Sequence, residues 1–95
     1  MRKAHVYILA SKRNGTLYVG VTSNLTQRIA QHKHEELDGF TKRYGVHLLV
    51  WCEDHDSMLN AIAREKAIKK WNRSWKIQLI EEMNPEWRDL SEGLQ

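Results

Sequence analysis

The sequence predicts an α+β fold: a three-stranded antiparallel sheet, built from an N-terminal hairpin plus a third strand, flanked by about three helices. Two runs rich in β-branched, aliphatic and aromatic residues flank Asn14-Gly15, a strong short hairpin signal. Residues 46–52 (VHLLVWC) are too short and too uniformly apolar for a surface helix. Three later stretches follow capping residues. At 41% apolar content, the 95 residues suit one domain over 1–95 that closes with a short acidic tail from about 84.

The hairpin strands are residues 5–11 and 16–22. A two-residue Asn14-Gly15 turn sets Tyr18 opposite Ser11, Gly20 opposite Leu9 and Thr22 opposite Tyr7. Tyr7, Leu9, Tyr18 and Gly20 then share one face, with Val6, Ile8, Val19 and Val21 on the other. In that register the two tyrosines stand about 13 Å apart along the strands. A helix starts after Thr22, capped by Ser23 or Asn24, and ends at Gly39; Asn24 with Gln27 resembles a capping box. Residues 40–45 form a basic loop and residues 46–52 the third strand. A second helix covers 57–71 and a third covers 75–83 with Ser74 as its cap. Asn84-Pro85 opens a final short turn containing Trp87.

Charge is unevenly spread. Residues 1–50 carry eight Lys/Arg and three Asp/Glu; residues 51–95 carry seven and nine. The basic half and the basic stretch 64–76 suit phosphate binding, although a solvated helix face gives the same pattern. Cys52, the one cysteine, cannot form an internal disulfide, and no Cys/His cluster has zinc-ligand spacing. The N-terminus lacks a signal-peptide pattern and no window approaches a membrane span. A cytoplasmic chain with no membrane partner is the expectation.

Two stripes contain residues that do not belong in a plain core. Leu25, Arg28, Ile29 and His32 share the sheet-facing side of the first helix, and a cation there needs an anion. Glu65 shares a side with Met58, Ala61 and Ile68 in the second, and a carboxylate there needs a metal, a salt bridge or a hydrogen bond. Phosphodiester hydrolysis would use such groups. Glu65 can ligate Mg²⁺ or Mn²⁺, Arg28 can grip a phosphate by paired donors, and His32 can move a proton near neutral pH.

Val6-Tyr7-Ile8 and Tyr18-Val19-Gly20, eleven positions apart from tyrosine to tyrosine, resemble the two signature tripeptides of the GIY-YIG nuclease superfamily. Arg28, His32 and Glu65 stand in the expected order. Phe40-Thr41-Lys42-Arg43-Tyr44 and the run from Arg64 to Trp71 further resemble its branch of small, stand-alone bacterial proteins. The resemblance implies metal-dependent cleavage of nucleic acid, most of all structured, damaged or single-stranded DNA, with one divalent ion (Mg²⁺ or Mn²⁺) on Glu65. Tyr7 would activate water, Tyr18 would contact phosphate or help move the proton, Arg28 would stabilise developing charge and His32 would assist the proton path. Gly20 would leave room for the substrate backbone, with Lys33, Lys42, Arg43, Lys69 and Lys70 as further nucleic-acid contacts. His5-Val6 departs from the Gly-Ile of the signature. Asn72 and Asn84 both stand as candidates for the asparagine that the family often adds.

Ordinary explanations exist for each residue taken singly. Arg28 could pair with Glu35 or Glu36, Glu65 could pair with Arg28, and Trp51, Trp71, Trp75 and Trp87 could be packing residues. The competing functions are a nucleic-acid-binding module with weak or no catalysis on the same basic surface, and a protein-interaction domain suggested by the acidic, Trp-containing C-terminus. What the ordinary account does not foresee is convergence of Tyr7, Tyr18, Arg28, His32 and Glu65.

Overall fold

The computed structural model describes residues 4–34 and 43–93. Strands β1 (Ala4–Ala10), β2 (Leu17–Thr22) and β3 (Leu48–His55) form one antiparallel sheet in the order β2-β1-β3. Helix α1 (Leu25–Lys33) follows β2. After β3 come α2 (Met58–Lys70), α3 (Arg73–Met83) and a 3-10 turn at Leu90–Gly93.

The hairpin slides by two residues relative to the tight turn. Tyr7 faces Gly20 and Leu9 faces Tyr18. The cause is the Ser11 side chain, which accepts the Thr16 amide at 3.0 Å while the Ser11 amide donates to Thr16 O. The loop therefore spans residues 12–15, closed by the Gly15 amide on Lys12 O, with Asn14 at φ 58. An even slide preserves the faces. It changes the tyrosines' separation, because they now stand on a cross-strand diagonal.

Alternation sorts the core into two layers. Val6, Ile8 and Val19 pack with Ala61 and Ile68 of α2, Ile80 of α3 and Trp87. On the other face Tyr7, Leu9 and Leu49 pack with Leu25 and Ile29 of α1 and with Val46. A bulge in β3 explains its unbroken apolar run. Ile8 faces Trp51 and Leu9 faces Leu49, so Val50 is the extra residue, and both Val50 and Trp51 join the α2 layer.

Helix ends follow local capping chemistry. Asn24 Oδ1 accepts the Gln27 amide, Ser57 Oγ the Asn60 amide and Asn72 Oδ1 the Trp75 amide. Asn72, not Ser74, therefore starts α3, two residues earlier than expected; Ser74 donates its hydroxyl to Asn72. Helix α1 stops at Lys33 with His34 as cap, well before Gly39, which lies outside the described residues. Arg43 and Tyr44 have helical backbone where a loop was expected.

The acidic C-terminal stretch packs onto β3. Asn84 is the C-cap of α3 and also opens the expected turn, its carbonyl accepting the Trp87 amide and its Oδ1 the Arg88 amide, while its buried side-chain amide donates to Val50 O and Arg88 O. Asp89 accepts the amides of Leu49 and Ser91 and pairs with Lys33 at 2.6 Å. Burial would raise the Asp89 carboxyl, but the bonds from Lys33, Ser91 and Leu49 hold it below its ordinary value. Trp51 and Trp87 are buried, whereas Trp75 is 55% exposed and meets Trp71 edge-on. No helix among the described residues is long and apolar enough to cross a membrane.

Candidate active site

Tyr7 is the centre of a buried polar cluster. Its phenol lies across the sheet over Gly20, where any Cβ would collide with the ring and hydroxyl. Gly20 is thus the seat of Tyr7, and the room beside the sheet reserved for a substrate backbone is filled by that phenol. Tyr18, on the diagonal, brings its ring centroid 6.4 Å from that of Tyr7, half the separation of the tight-turn register. From α1, His32 sits 5.9 Å from Tyr7 and 5.5 Å from Tyr18, ring to ring. The Tyr7 hydroxyl meets His32 Nε2 at 3.2 Å.

Arg28, one turn before His32, reaches this cluster from the same helix. Its guanidinium acts on Tyr7 as a charge and a hydrogen-bond donor. Glu65 comes from α2, which lies across β1 and β2 in the opposite layer. Its carboxylate nevertheless acts on the Tyr7 phenol. β2 is an edge strand, and Tyr7 leans over Gly20 toward it.

Burial sets the protonation states. It pushes the Tyr7 phenol well above its ordinary value, with help from the charges of Tyr18 and Glu65 and against the pull of Arg28. Burial also lowers His32 to about 4, aided by Arg28 and by His47. At neutral pH a neutral phenol therefore faces a neutral imidazole. His32 is 2% exposed, and among the described residues its Nδ1 has no hydrogen-bond partner.

The GIY-YIG catalytic domain model matches residues 3–78. The chain belongs to the GIY-YIG family. It is 39% identical over 82 residues to the UPF0213 protein of Staphylococcus haemolyticus, covering 86% of this chain and 99% of the relative. It is likewise 39% identical over 87 residues to the UPF0213 protein of Syntrophus aciditrophicus, covering 90% and 98%. The solution NMR structure of the UPF0213 protein BH0048 from Bacillus halodurans superposes with a TM-score of 0.57 at 26% identity, over 94% of each chain.

Within this GIY-YIG domain Tyr7, Tyr18 and His32 pack together, with Arg28 and Glu65 acting on the Tyr7 phenol through their charges, but the expected nucleic-acid contacts divide. Lys33 is held by Asp89 and by the His47 carbonyl, so it ties α1 to β3. Lys69 pairs with Glu65, Nζ to Oε2 at 2.6 Å. Arg43 is exposed over the Tyr44 ring, Lys70 is exposed with no ion pair among the described residues, and Lys42 lies outside them. Asn72 and Asn84 are committed to capping α3 and to fastening the C-terminus.

Some contributors carried no sequence signal. His47 acts on His32 from the far end of the loop before β3. Arg73 donates to the carbonyls of Asn14 and Gly15 at 2.6 and 2.5 Å, fastening the hairpin loop to the start of α3. Lys12 and Arg13 are exposed cations in the hairpin loop, and the basic composition did not single them out.

Proposed function

We propose that this GIY-YIG domain is a metal-dependent nuclease that hydrolyses phosphodiester bonds of structured, damaged or single-stranded DNA. The observation that carries the reading is a buried phenol, hydrogen-bonded to a neutral histidine, on which Arg28 and Glu65 both act. A structural tyrosine needs one hydrogen-bond partner, not a cation and an anion besides.

Among the described residues no group of three His, Cys, Asp or Glu converges to cage an ion. Glu65 offers one carboxylate at 8% exposure. That fits Mg²⁺ or Mn²⁺, which take hard oxygen ligands, keep several waters and complete their shell from phosphate. When bound, the ion would neutralise charge on the phosphate.

The chain's own residues supply proton transfer and orientation. Tyr7 receives the attacking water's proton on its phenol oxygen as its own proton passes to His32 Nε2. This relay keeps the phenol neutral throughout, as its burial favours. His32, lowered to about 4, is a weak base in this place and returns the proton readily, ending on the leaving oxygen. Arg28 donates to a non-bridging oxygen as charge builds there, and Tyr18 steadies the phosphate.

Purified protein is tested on branched, nicked and single-stranded DNA with and without Mg²⁺ or Mn²⁺. Cutting is expected only with metal, and Arg28→Ala or Glu65→Ala should abolish it. Cleavage that survives both substitutions overturns the reading. The Lys69–Glu65 pair favours one alternative, a nucleic-acid-binding module with little catalysis, because the single carboxylate already has a cation. Salt-sensitive binding without cutting would select it.

A further inference from the structure

We propose that Lys69 is an internal counter-ion for Glu65, released by nucleic acid so that the divalent ion and the substrate phosphate enter together. The proposal rests on Glu65 as the metal ligand.

The two partners of this pair are unequal. The Glu65 side chain is 11% exposed and fixed among α2's buried positions, whereas that of Lys69 is 52% exposed on a flexible four-carbon stem. The carboxylate needs a cation where it stands; the ammonium can leave. Glutamate one turn before lysine is also the favourable helical order. Lys66 and Lys70, on the same helix, are exposed and make no ion pair among the described residues. Lys69 alone of these three occupies the oxygen that an ion would need.

Exchange leaves no charge stranded. In the free protein, Lys69 balances Glu65. When a phosphate arrives, the ammonium swings from Oε2 to a phosphate oxygen, and the vacated carboxylate would then be free to hold the divalent ion. Without the phosphate, an ion held by one carboxylate must displace Lys69 for little return. Metal should therefore bind weakly to the free protein and more tightly in the presence of nucleic acid.

The test follows Mn²⁺ binding to the full chain by electron paramagnetic resonance, independently of cleavage. Lys69→Met is compared with wild type and with Lys66→Met, which removes an equal charge from the same helix but no ion pair. Without nucleic acid, Lys69→Met should bind Mn²⁺ about three- to tenfold more tightly than wild type, the range for a pair between an exposed and a buried group. Lys66→Met should change it less than about twofold. A single-stranded oligodeoxynucleotide should tighten Mn²⁺ binding to wild type more than to Lys69→Met. Equal Mn²⁺ affinities for wild type and Lys69→Met overturn the counter-ion proposal while leaving the metal reading intact. Failure of Mn²⁺ to bind any of the three, with or without the oligonucleotide, overturns both.

Discussion

The Tyr7 hydroxyl lies 3.2 Å from Nε2 of His32, across 25 positions of chain, and both groups are neutral near pH 7. One comes from the central strand and the other from the helix that follows the hairpin. The bond thus joins sheet and helix, and in the proposed reaction it would also carry a proton. Its two functions can be separated by mutation.

Tyr7→Phe keeps the ring and removes the hydroxyl. His32, whose Nδ1 has no partner among the described residues, would lose its Nε2 partner as well. A loss of about 1–3 kcal/mol in stability is expected from that orphaned group. Single-turnover cleavage should fall by about 100-fold or more, the usual contribution of a positioned proton-transfer group. Chemical denaturation and cleavage assays on the same preparation give both numbers.

Acid should destabilise the fold through His32. The unfolded chain takes up a proton near 6.5, the folded protein only near about 4. Between those values the unfolded state holds more protons, so stability rises as pH climbs from 4 to 6.5 and then levels off. Well above pH 7 the imidazole is neutral in both states and adds no pH dependence. The full shift corresponds to on the order of 3 kcal/mol at about 1.36 kcal/mol per unit. Urea melts across this range measure it, and His32→Gln should flatten the slope. An NMR titration finding His32 ionising near 6.5 in the folded protein would refute the account.

Gly20→Ala should disturb the site at the strand opposite Tyr7. The added methyl meets the phenol itself, so Tyr7 must tilt away from His32. Overpacking of this kind costs about 1–3 kcal/mol. Cleavage should fall more than stability does, and the Tyr7–His32 bond should lengthen in a structure of the variant. Wild-type cleavage rates would show that the seat is dispensable.

Lys33 provides a contrast between binding and architecture. It sits between Asp89 and the His47 carbonyl. Lys33→Ala should lower stability by about 1 kcal/mol, a charge-assisted bond partly screened by water. The salt dependence of DNA binding should stay as in wild type, whereas Lys70→Ala should reduce its slope by about 0.7–0.9, one phosphate contact.

Local rules made part of this molecule readable. Alternation placed Tyr7 and Tyr18 on one face with Gly20, and helical spacing put Arg28 and His32 on the inner side of α1. Capping residues located the helix starts to within two positions. The hairpin slide escaped because Asn14-Gly15 signals the tight turn, while the deciding bond is the Ser11 hydroxyl taking the Thr16 amide. The extra residue at Val50 is hidden in a run that is apolar at every position but one. Lys69 is one turn from Glu65 and could have been paired with it from spacing alone. The Lys33–Asp89 pair spans 56 positions, and no local pattern announces a contact of that range.

The C-terminal stretch also bears on how copies of the chain meet. β3 is an outer strand, and such a strand normally presents free amides and carbonyls that another chain can extend. Here the Leu49 amide is taken by Asp89 and the Val50 carbonyl by Asn84, at the kink that the extra residue makes. Two side chains near the end of the sequence therefore guard the molecule against strand-by-strand polymerisation along that flank.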